Sequence, residues 1–189
     1  IGITSFYPSK NLGCYGDGGA IFTNDDDLAE WIRMIVNHGE KIKYHHEIIG
    51  CNSRLDSIQA EILNIKLKYL KNYNKCRNKM ADDYNKAFSA IDQIQTPKLS
   101  NFSDHVYHQY TLKIKNGKRN EFKEYLSNLG IPSMIYYPIP IHNQVPYKNN
   151  QSLENTELLS KEVISLPIHT EIKSSNQEYI IEKVKIFFK

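Results

Sequence analysis

The sequence predicts a mixed α/β fold built in two parts, and three observations support this prediction. Short β-branched runs stand beside Gly-containing turns in both halves of the 189-residue chain. Longer segments between them carry apolar residues at the i, i+3, i+4, i+7 spacing of amphipathic helices. A chain of this length buries about 70% of the surface that its unfolded form exposes, which is enough for one large or two small hydrophobic cores.

The first part is predicted to contain a Gly-rich loop, a strand and a helix. Four glycines between residues 13 and 19 precede the strand-like run Ala-Ile-Phe-Thr at 20–23. Asn24 and three aspartates then supply an N-cap and first-turn acids for a helix whose apolar residues recur from Leu28 to Val36. Gly39 is expected to end this helix, and residues 40–53 are polar and aperiodic.

A long helical pattern follows from about Leu55 to Ile91. Its first half has two apolar stripes, so we expect it to be buried on two sides. Its second half keeps one stripe of helical period through Met80, Tyr84 and Phe88. The pattern predicts one long or broken helix that could bridge two domains.

The second part is predicted to be a small α+β unit. It is expected to contain, in order, a strand over 107–114, an Asn-Gly turn at 116–117, a helix over 120–130, a proline-extended segment over 136–140 and helices over 152–162 and 175–188. A capping box that starts at Ser175 is expected to open the last helix.

Composition favours a cytoplasmic protein with no nucleic-acid or membrane partner. The chain has 24 Lys and Arg against 21 Asp and Glu, and a formal charge of +3 is too weak to imply a polyanionic ligand. No apolar stretch reaches the roughly 18 residues of a membrane helix, and no signal-peptide pattern opens the chain. The three cysteines lack C-x-x-C spacing, which suits reduced thiols. The spacing of His38, His45 and His46 fits no ligand geometry, so no metal is expected.

The segment that carries chemistry is the loop around Lys10, which runs from Ser5 to Gly19. A lysine between the end of a strand and a Gly-rich loop is held on a rigid edge, where a ligand can approach the backbone. This placement suits a lysine that forms a Schiff base with a carbonyl compound. A lone lysine in a loop is more often a solvated surface residue, so the neighbouring motifs decide between the two interpretations.

Three motifs, in this order, resemble those of the DegT/StrS-type sugar aminotransferases. They are S-F-x-x-x-K-x-L-G-x-x-G-D-G-G-A from Ser5, G-C-N-S-R-L-D-S-I-Q-A from Gly50 and Y-P-I-P-I-H from Tyr137. The resemblance implies the C-terminal part of a fold-type I enzyme that depends on pyridoxal 5'-phosphate (PLP). Residues 1–72 would form the lysine-bearing end of the large PLP-binding α/β domain, and residues 73–189 would form the small C-terminal α+β domain.

The resemblance also implies which residues bind the cofactor. Lys10 falls on the lysine that forms the Schiff base with PLP, and Ser5 falls on the serine that hydrogen-bonds its phosphate. Asn52 matches the asparagine that reaches the phosphate of the neighbouring subunit's cofactor, so a homodimer with shared active sites is implied. The structural alternatives are a strand-end serine that satisfies its own backbone and, for Asn52, a cap for the helix near Leu55.

Three further residues are implied to face the substrate. Arg54 stands where the family often places a substrate-facing arginine, with a surface salt bridge as the alternative role. Tyr137 and His142 belong to the loop on the substrate side, although packing or structural hydrogen bonding would explain each of them equally well. The substrates implied are a nucleotide sugar with a keto group and an amino-acid donor, usually glutamate in this family.

The resemblance implies an enzyme of amino-sugar synthesis for surface polysaccharide such as lipopolysaccharide. The residues at 13–19 and at 37–39 resemble those of members that build 3-amino-glucuronate or other amino sugars, so a 3-keto uronate-type sugar is implied. Its carboxylate would suit the Arg54 guanidinium. Tyr136 departs from the His that some uronate-type relatives carry before Tyr-Pro, which puts the sugar in doubt. The alternatives are an aminotransferase for a 4-keto sugar, a non-catalytic nucleotide-sugar-binding paralogue and an inactive fragment.

Two parts of the family pattern are expected to precede Ile1. These are the acidic residue that pairs with the pyridine nitrogen and the small-residue turn that binds the cofactor phosphate. The chain also opens directly on what looks like the end of a buried strand, so we expect it to be the C-terminal portion of a longer protein. Without the acid the cofactor is a weaker electron sink, and little or no activity is expected from this chain alone.

Overall fold

The computed structural model describes all 189 residues, which divide into two compact units, Ile1–Lys71 and Asn72–Lys189. Each unit has its own strands and helices, and they are described separately below. No helix in the chain is both long and apolar enough to cross a lipid bilayer.

The first unit consists of two small antiparallel strand pairs and two helices. Its elements, in order, are β1 (Gly2–Ser5), β2 (Gly19–Phe22), α1 (Asp26–Val36), β3 (Glu40–Ile42), β4 (His45–His46) and α2 (Ser57–Leu67). Strand β1 pairs with β2, and β3 pairs with β4. The β3–β4 pair lies in the polar segment for which the sequence predicted no regular structure. Strand β1 was expected to be buried, but all four of its residues are exposed.

Helix α1 begins and ends close to its predicted positions. The Asp25 carboxylate accepts a hydrogen bond from the Leu28 amide at 3.0 Å, so the cap is an aspartate and not Asn24. At the other end the Gly39 amide donates to the Met34 carbonyl at 2.7 Å with φ at +76°. An added Cβ at Gly39 would collide with the Ile48 backbone, so this turn requires glycine.

The long helical pattern is divided between two helices, α2 and α3 (Leu70–Phe88). Helix α2 begins at Ser57 with Asp56 at its N-cap position, so the alternative role of Asn52 as the cap is wrong. The expected burial on two sides is also wrong, since Leu63 is the only buried residue of α2 and Ile58 is 74% exposed. Helix α3 buries the predicted stripe of Met80, Tyr84 and Phe88.

The second unit packs helices against a three-stranded antiparallel sheet of order β5-β6-β7. After α3 its elements are β5 (Ile94–Gln95), β6 (Tyr110–Ile114), α4 (Arg119–Asn128), two 3₁₀ helices (Ile141–Asn143 and Val145–Tyr147), α5 (Glu154–Glu162), β7 (Val163–Leu166) and α6 (Ser174–Phe187). Strand β7 was not predicted. The expected capping box is not formed, because α6 begins at Ser174 with Lys173 at its N-cap and no side-chain cap bond.

The core of the second unit lies between the sheet and the helices. Strand β6 alternates as a half-buried strand should, with Tyr110, Leu112 and Ile114 fully buried on one face. Tyr107, predicted to belong to this strand, lies before it with a positive φ of 42° but is equally buried. Helices α4 and α6 meet through Phe122, whose ring centroid lies 5.1 Å from that of Phe187.

Candidate active site

Lys10 lies in the loop that connects β1 to β2. Ser5 is the last residue of β1 and pairs with Gly19, the first residue of β2. The amide of Phe6 then donates to the Gly18 carbonyl at 2.8 Å, which extends the pairing by one step into the loop. Lys10 therefore lies in a loop whose two ends are joined by backbone hydrogen bonds. This is the rigid edge that the sequence predicted.

The loop is also closed on itself around Cys14. The Phe6 carbonyl accepts from the Cys14 amide at 2.8 Å and lies 3.0 Å from Cys14 Sγ. The same sulfur lies 2.9 Å from the Gly16 carbonyl, so the single thiol hydrogen is shared between two acceptors. Cys14 is fully buried, and its contacts with carbonyl oxygens make it a closing residue of the loop.

Ser5 and Lys10 are connected through Tyr7. The Tyr7 amide donates to Ser5 Oγ at 3.2 Å, and the Tyr7 carbonyl accepts from the Lys10 amide at 2.9 Å. Because Ser5 Oγ accepts the Tyr7 bond, its own hydrogen can be donated to an acceptor such as a phosphate oxygen. Ser5 is exposed and Lys10 is half-buried, so both side chains can be reached from solvent.

Asn52 and Arg54 lie together on a second segment of the first unit. Backbone bonds attach this segment to the end of α1, with the Cys51 amide on the Ile35 carbonyl at 2.7 Å and the Ser53 amide on the Val36 carbonyl at 2.9 Å. Arg54 Nε donates to Asn52 Oδ1 at 2.8 Å. This bond leaves the Asn52 amide nitrogen and the two terminal guanidinium nitrogens of Arg54 as donors toward a ligand.

A cleft of about 850 Å³ opens beside this pair. Its walls come from the end of the Lys10 loop, at Asp17, Gly18 and Gly19, and from residues 52–57. Asn52 and Arg54 are therefore brought to one cleft with the loop that follows Lys10. Ser5 and Lys10 are not among the residues that line it.

Tyr137 and His142 belong to the second unit and differ sharply in exposure. Tyr137 is 73% exposed and lies at the rim of an apolar pocket of about 700 Å³ between residues 136–144 and α5. His142 is 5% exposed, and its Nε2 lies 3.2 Å from Glu157 Oε1. The hydrogen bond from His142, with a second from the Leu153 amide, lowers the pKa of Glu157 below its ordinary value of 4.5.

The structure places the histidines of the first unit without a metal-binding arrangement. His46 Nδ1 lies 3.0 Å from the His38 carbonyl, at the β3–β4 pair. Among the described residues, no group of three or more His, Cys, Asp or Glu side chains could hold a metal ion.

Comparison with known proteins decides the family. The model of the DegT/DnrJ/EryC1/StrS aminotransferase family matches residues 1–185. The chain belongs to this family. As a DegT-family chain, it carries Lys10, Ser5, Asn52 and Arg54 in its first unit and Tyr137 and His142 in its second.

Individual relatives agree with this assignment. The chain is 44% identical to a pleiotropic regulatory protein of Geobacillus stearothermophilus, over 98% of this chain and 51% of the relative. It is 40% identical to the UDP-2-acetamido-2-deoxy-3-oxo-D-glucuronate aminotransferase of Pseudomonas aeruginosa, over 95% of this chain and 50% of the relative. The chain thus spans about half the length of the curated relatives it matches.

A solved structure shows the same fold. The crystal structure of S. venezuelae DesV, in complex with a ketimine intermediate, superposes with a TM-score of 0.93 at 36% identity. The match covers 99% of this chain and 51% of DesV. This agreement confirms the predicted fold class, a mixed α/β part of a PLP-dependent sugar aminotransferase.

The residues of the DegT-family chain fit the family's cofactor, PLP, in part. Lys10 carries a primary amine, the group that a pyridoxal carbonyl would require, and Ser5 carries a hydroxyl hydrogen that a phosphate oxygen could accept. Close packing fixes the backbone that carries them, since a Cβ on Gly13 would lie 2.5 Å from the Pro8 carbonyl oxygen. The loop therefore holds the two kinds of group, an amine and a hydroxyl, that the aldehyde and the phosphate of PLP would require.

Sequence reasoning missed three contacts that support these residues. Glu157 was not singled out as the partner of His142, and Gln59 and Lys66 were not recognised as contacts of the Lys10 loop. Gln59 stood inside the quoted Asn52 motif, which was the available signal. Glu157 and Lys66 belong to no quoted motif, so nothing in the sequence marked them.

Proposed function

We propose that this chain carries the lysine-bearing part of an enzyme that transfers an amino group from an amino acid, glutamate, to a keto group on a nucleotide-activated sugar. The observation that carries the proposal is Lys10 on a closed loop between paired strands, within a chain of an aminotransferase family. PLP is the cofactor of such reactions. When bound, it supplies an electron-accepting ring that makes the donor's α-proton removable.

Lys10 is the residue that moves a proton in this proposal. Its amine must be neutral to accept the donor's α-proton at Nζ, and it would release that proton to the neighbouring acceptor carbon before the first half of the reaction ends. With the keto sugar the same transfer would run in the opposite direction. A proton carrier must stay within reach of both the carbon that loses the proton and the carbon that receives it, and a closed loop can hold Lys10 in one place for this. A lysine here favours transamination, since the related sugar dehydratases carry histidine at the equivalent place.

Ser5 and Asn52 are proposed to hold the cofactor phosphate. Ser5 offers its hydroxyl hydrogen, and Asn52 offers its amide nitrogen because its oxygen is occupied by Arg54. Following the resemblance, Asn52 acts on the cofactor of a second subunit, so the proposed assembly is a homodimer with shared active sites. The exposed apolar side chains of α2, such as Ile58 and Ile65, support burial of this helix by further protein.

Arg54 is proposed to bind the acidic group of the sugar. Its Nε is fixed on Asn52, and its two terminal nitrogens can bind one carboxylate in a bidentate pair. A 3-keto uronate-type substrate fits this arrangement, and the Pseudomonas aeruginosa relative is named for a 3-oxo-glucuronate. The proposed setting is the cytoplasmic synthesis of amino sugars for lipopolysaccharide or a similar surface polysaccharide.

Tyr137 and His142 are proposed to act on the substrate side. The exposed phenol of Tyr137 can contact the sugar directly. His142 is buried on Glu157, so it would serve the substrate by holding the loop in place. In this proposal, residues 1–72 end the large PLP-binding domain, and residues 73–189 are the small domain.

The second candidate is a regulatory protein without catalysis, for which the name of the Geobacillus relative is the specific observation. The presence of Lys10 and Ser5 on an intact loop supports the enzyme. An aminotransferase for a 4-keto sugar remains the alternative within the enzyme class.

The decisive experiment is borohydride trapping of added PLP, followed by peptide mass mapping. It is applied to residues 1–189 and to the longest product of the gene that contains them. We expect cofactor mass on the Lys10 peptide of the longer product, its loss in Lys10→Ala and its retention in the exposed control Lys68→Ala. Label in neither protein would favour the regulatory candidate.

Sugar specificity is tested with Arg54. Arg54→Ala should raise the KM for a 3-keto uronate more than tenfold while leaving donor turnover intact, because a bidentate charged contact is lost. Arg33→Ala, an exposed arginine of α1, is the matched control. An unchanged KM would show that Arg54 is structural, and equal loss on a neutral sugar would contradict the uronate assignment.

A further inference from the structure

The loop that carries Lys10 is held from outside by one helix. The Tyr15 amide donates to Gln59 Oε1 at 2.8 Å. Lys66 Nζ donates to the Gly13 carbonyl at 2.7 Å and lies 4.7 Å from the centre of the Tyr15 ring. Both side chains come from α2, so this helix contacts the loop just after Lys10.

Gln59 and Lys66 contact the Lys10 loop at two separate points. Gln59 and Lys66 are seven positions apart, close to two helical turns, so both side chains leave the same face of α2 at points about 10 Å apart along its axis. Two separated contacts restrain both the position and the tilt of the loop. Gly16 also packs on the Gln59 amide, since an added Cβ would lie 3.3 Å from Gln59 Nε2.

The loop is also attached to Phe6, the residue that follows β1, through the contacts of Cys14. Lys10 lies in the segment between Phe6 and Gly13, which these contacts and the bond from Lys66 close. Movement of residues 7–13 therefore requires breaking the charged bond from Lys66 or the closure at Cys14. A hydrogen bond from an ammonium group is among the stronger ones in proteins, which makes Lys66 the firmer of the two supports.

We propose that Gln59 and Lys66 are positioning residues for Lys10. They touch neither substrate nor cofactor in this role. They keep the Lys10 backbone at the place from which Nζ reaches the reacting carbon. The inference rests on the proposed function, because it assigns the two residues to the chemistry of Lys10. A displacement of about 1 Å can lower a rate roughly 100-fold, so loss of this support should act on kcat.

The test uses paired variants in the longest gene product that contains this chain. Gln59→Leu removes the acceptor for Tyr15, and Gln59→Glu keeps an oxygen there. Lys66→Met removes the donor to Gly13, and Lys66→Arg keeps one. Lys68→Met, which changes an exposed lysine at the end of the same helix, is the matched control.

Three measurements separate positioning from general stability. Amide hydrogen exchange is followed on the cofactor-free protein for peptides from residues 6–19, kcat and KM are measured with donor and sugar, and urea unfolding is recorded. In Gln59→Leu and Lys66→Met we expect faster loop exchange by about fivefold or more. The expected kcat is lower by tenfold or more, with KM changed less than threefold, and Lys66→Arg restores most of it.

Two results would overturn the inference. One is unchanged loop exchange in both variants, and the other is faster exchange with kcat equal to that of Lys68→Met. A fall in kcat that only tracks lost global stability would count against it as well. Failure of the proposed function is seen separately, as absence of trapped cofactor on Lys10 in the unmodified protein, and the exchange measurement needs no cofactor.

Discussion

Replacing Arg77 with methionine should destabilise the second unit substantially. Arg77 is 8% exposed, and its Nη1 donates to the carbonyls of Ile168 at 2.8 Å, Tyr107 at 3.0 Å and His108 at 3.3 Å. These carbonyls belong to two segments distant in sequence from α3. The Arg77 side chain therefore connects the helix to both segments. Burial lowers the pKa of its guanidinium, which has no carboxylate partner.

The size of the effect follows from these distances. Nη1 carries two hydrogens, so it makes two good bonds, to Ile168 and Tyr107, and the His108 contact at 3.3 Å is the weakest. Two bonds from a charged donor are worth about 3–6 kcal/mol together. Methionine keeps the apolar stem and removes the cost of burying the charge, which offsets part of the loss. We expect a net decrease of about 2–4 kcal/mol in the free energy of unfolding.

Urea unfolding followed by circular dichroism measures this change. Lys79→Met, two positions along the same helix and exposed, is the matched control and should lie within about 0.5 kcal/mol of the unmodified chain. Arg77→Lys should recover part of the loss, because an ammonium can reach fewer of the three carbonyls. A decrease below about 1 kcal/mol for Arg77→Met would refute the reasoning that the two charged hydrogen bonds outweigh the cost of burying the guanidinium.

Two further predictions concern the candidate site. The hydrogen bonds that lower the pKa of the Glu157 carboxyl also stabilise the fold. Their contribution is complete above about pH 4.5 and is lost as the pH falls through the lowered pKa of Glu157 in the folded chain. Glu157→Gln should therefore be less stable than the unmodified chain at neutral pH and equal to it in acid, as thermal melts across pH would show; a constant difference would contradict the assignment. Gly13→Ala would place a Cβ 2.5 Å from the Pro8 carbonyl oxygen and should abolish PLP trapping on Lys10, whereas Gly2→Ala, with its nearest contact at 4.0 Å, should keep it.

The parts of the fold that local pattern determines could be predicted from the sequence. Helix α1 and the buried stripe of α3 follow from periodicity and capping. Strand β7 could not be predicted, because it follows α5 directly at Val163 and has no Gly or Pro to mark the change. The short run Val-Ile-Ser-Leu, in which three of four residues are apolar, fits the end of a buried helix equally well.

Burial of α2 was wrongly predicted for a different physical reason. Apolar stripes indicate that a face avoids water, but they do not say which chain covers it. In the first unit only Leu63 of α2 is buried, and Ile58 and Ile65 remain exposed. The apolar stripes of this helix therefore did not predict its burial within residues 1–71.

In the candidate site, features that depend on neighbouring residues in the sequence could be predicted, and contacts between distant residues could not. The position of Lys10 between β1 and the Gly-rich loop follows from residues that adjoin it in the sequence. The contacts of Gln59 and Lys66 with that loop join residues 44 and 53 positions apart, which no local pattern records. His142 was singled out, but its burial on Glu157 depends on the packing of α5.

The Asn52 motif, residues 50–60, overlaps the start of helix α2. Asn52 and Arg54 precede the start of α2 at Ser57 and line the cleft, whereas Gln59 lies in the first turn and contacts the Lys10 loop. Helix geometry fixes the spacing of Gln59 and Lys66, because a residue added between them would rotate one against the other by about 100°. One short segment thus connects the proposed ligand cleft to the support of the proposed catalytic lysine.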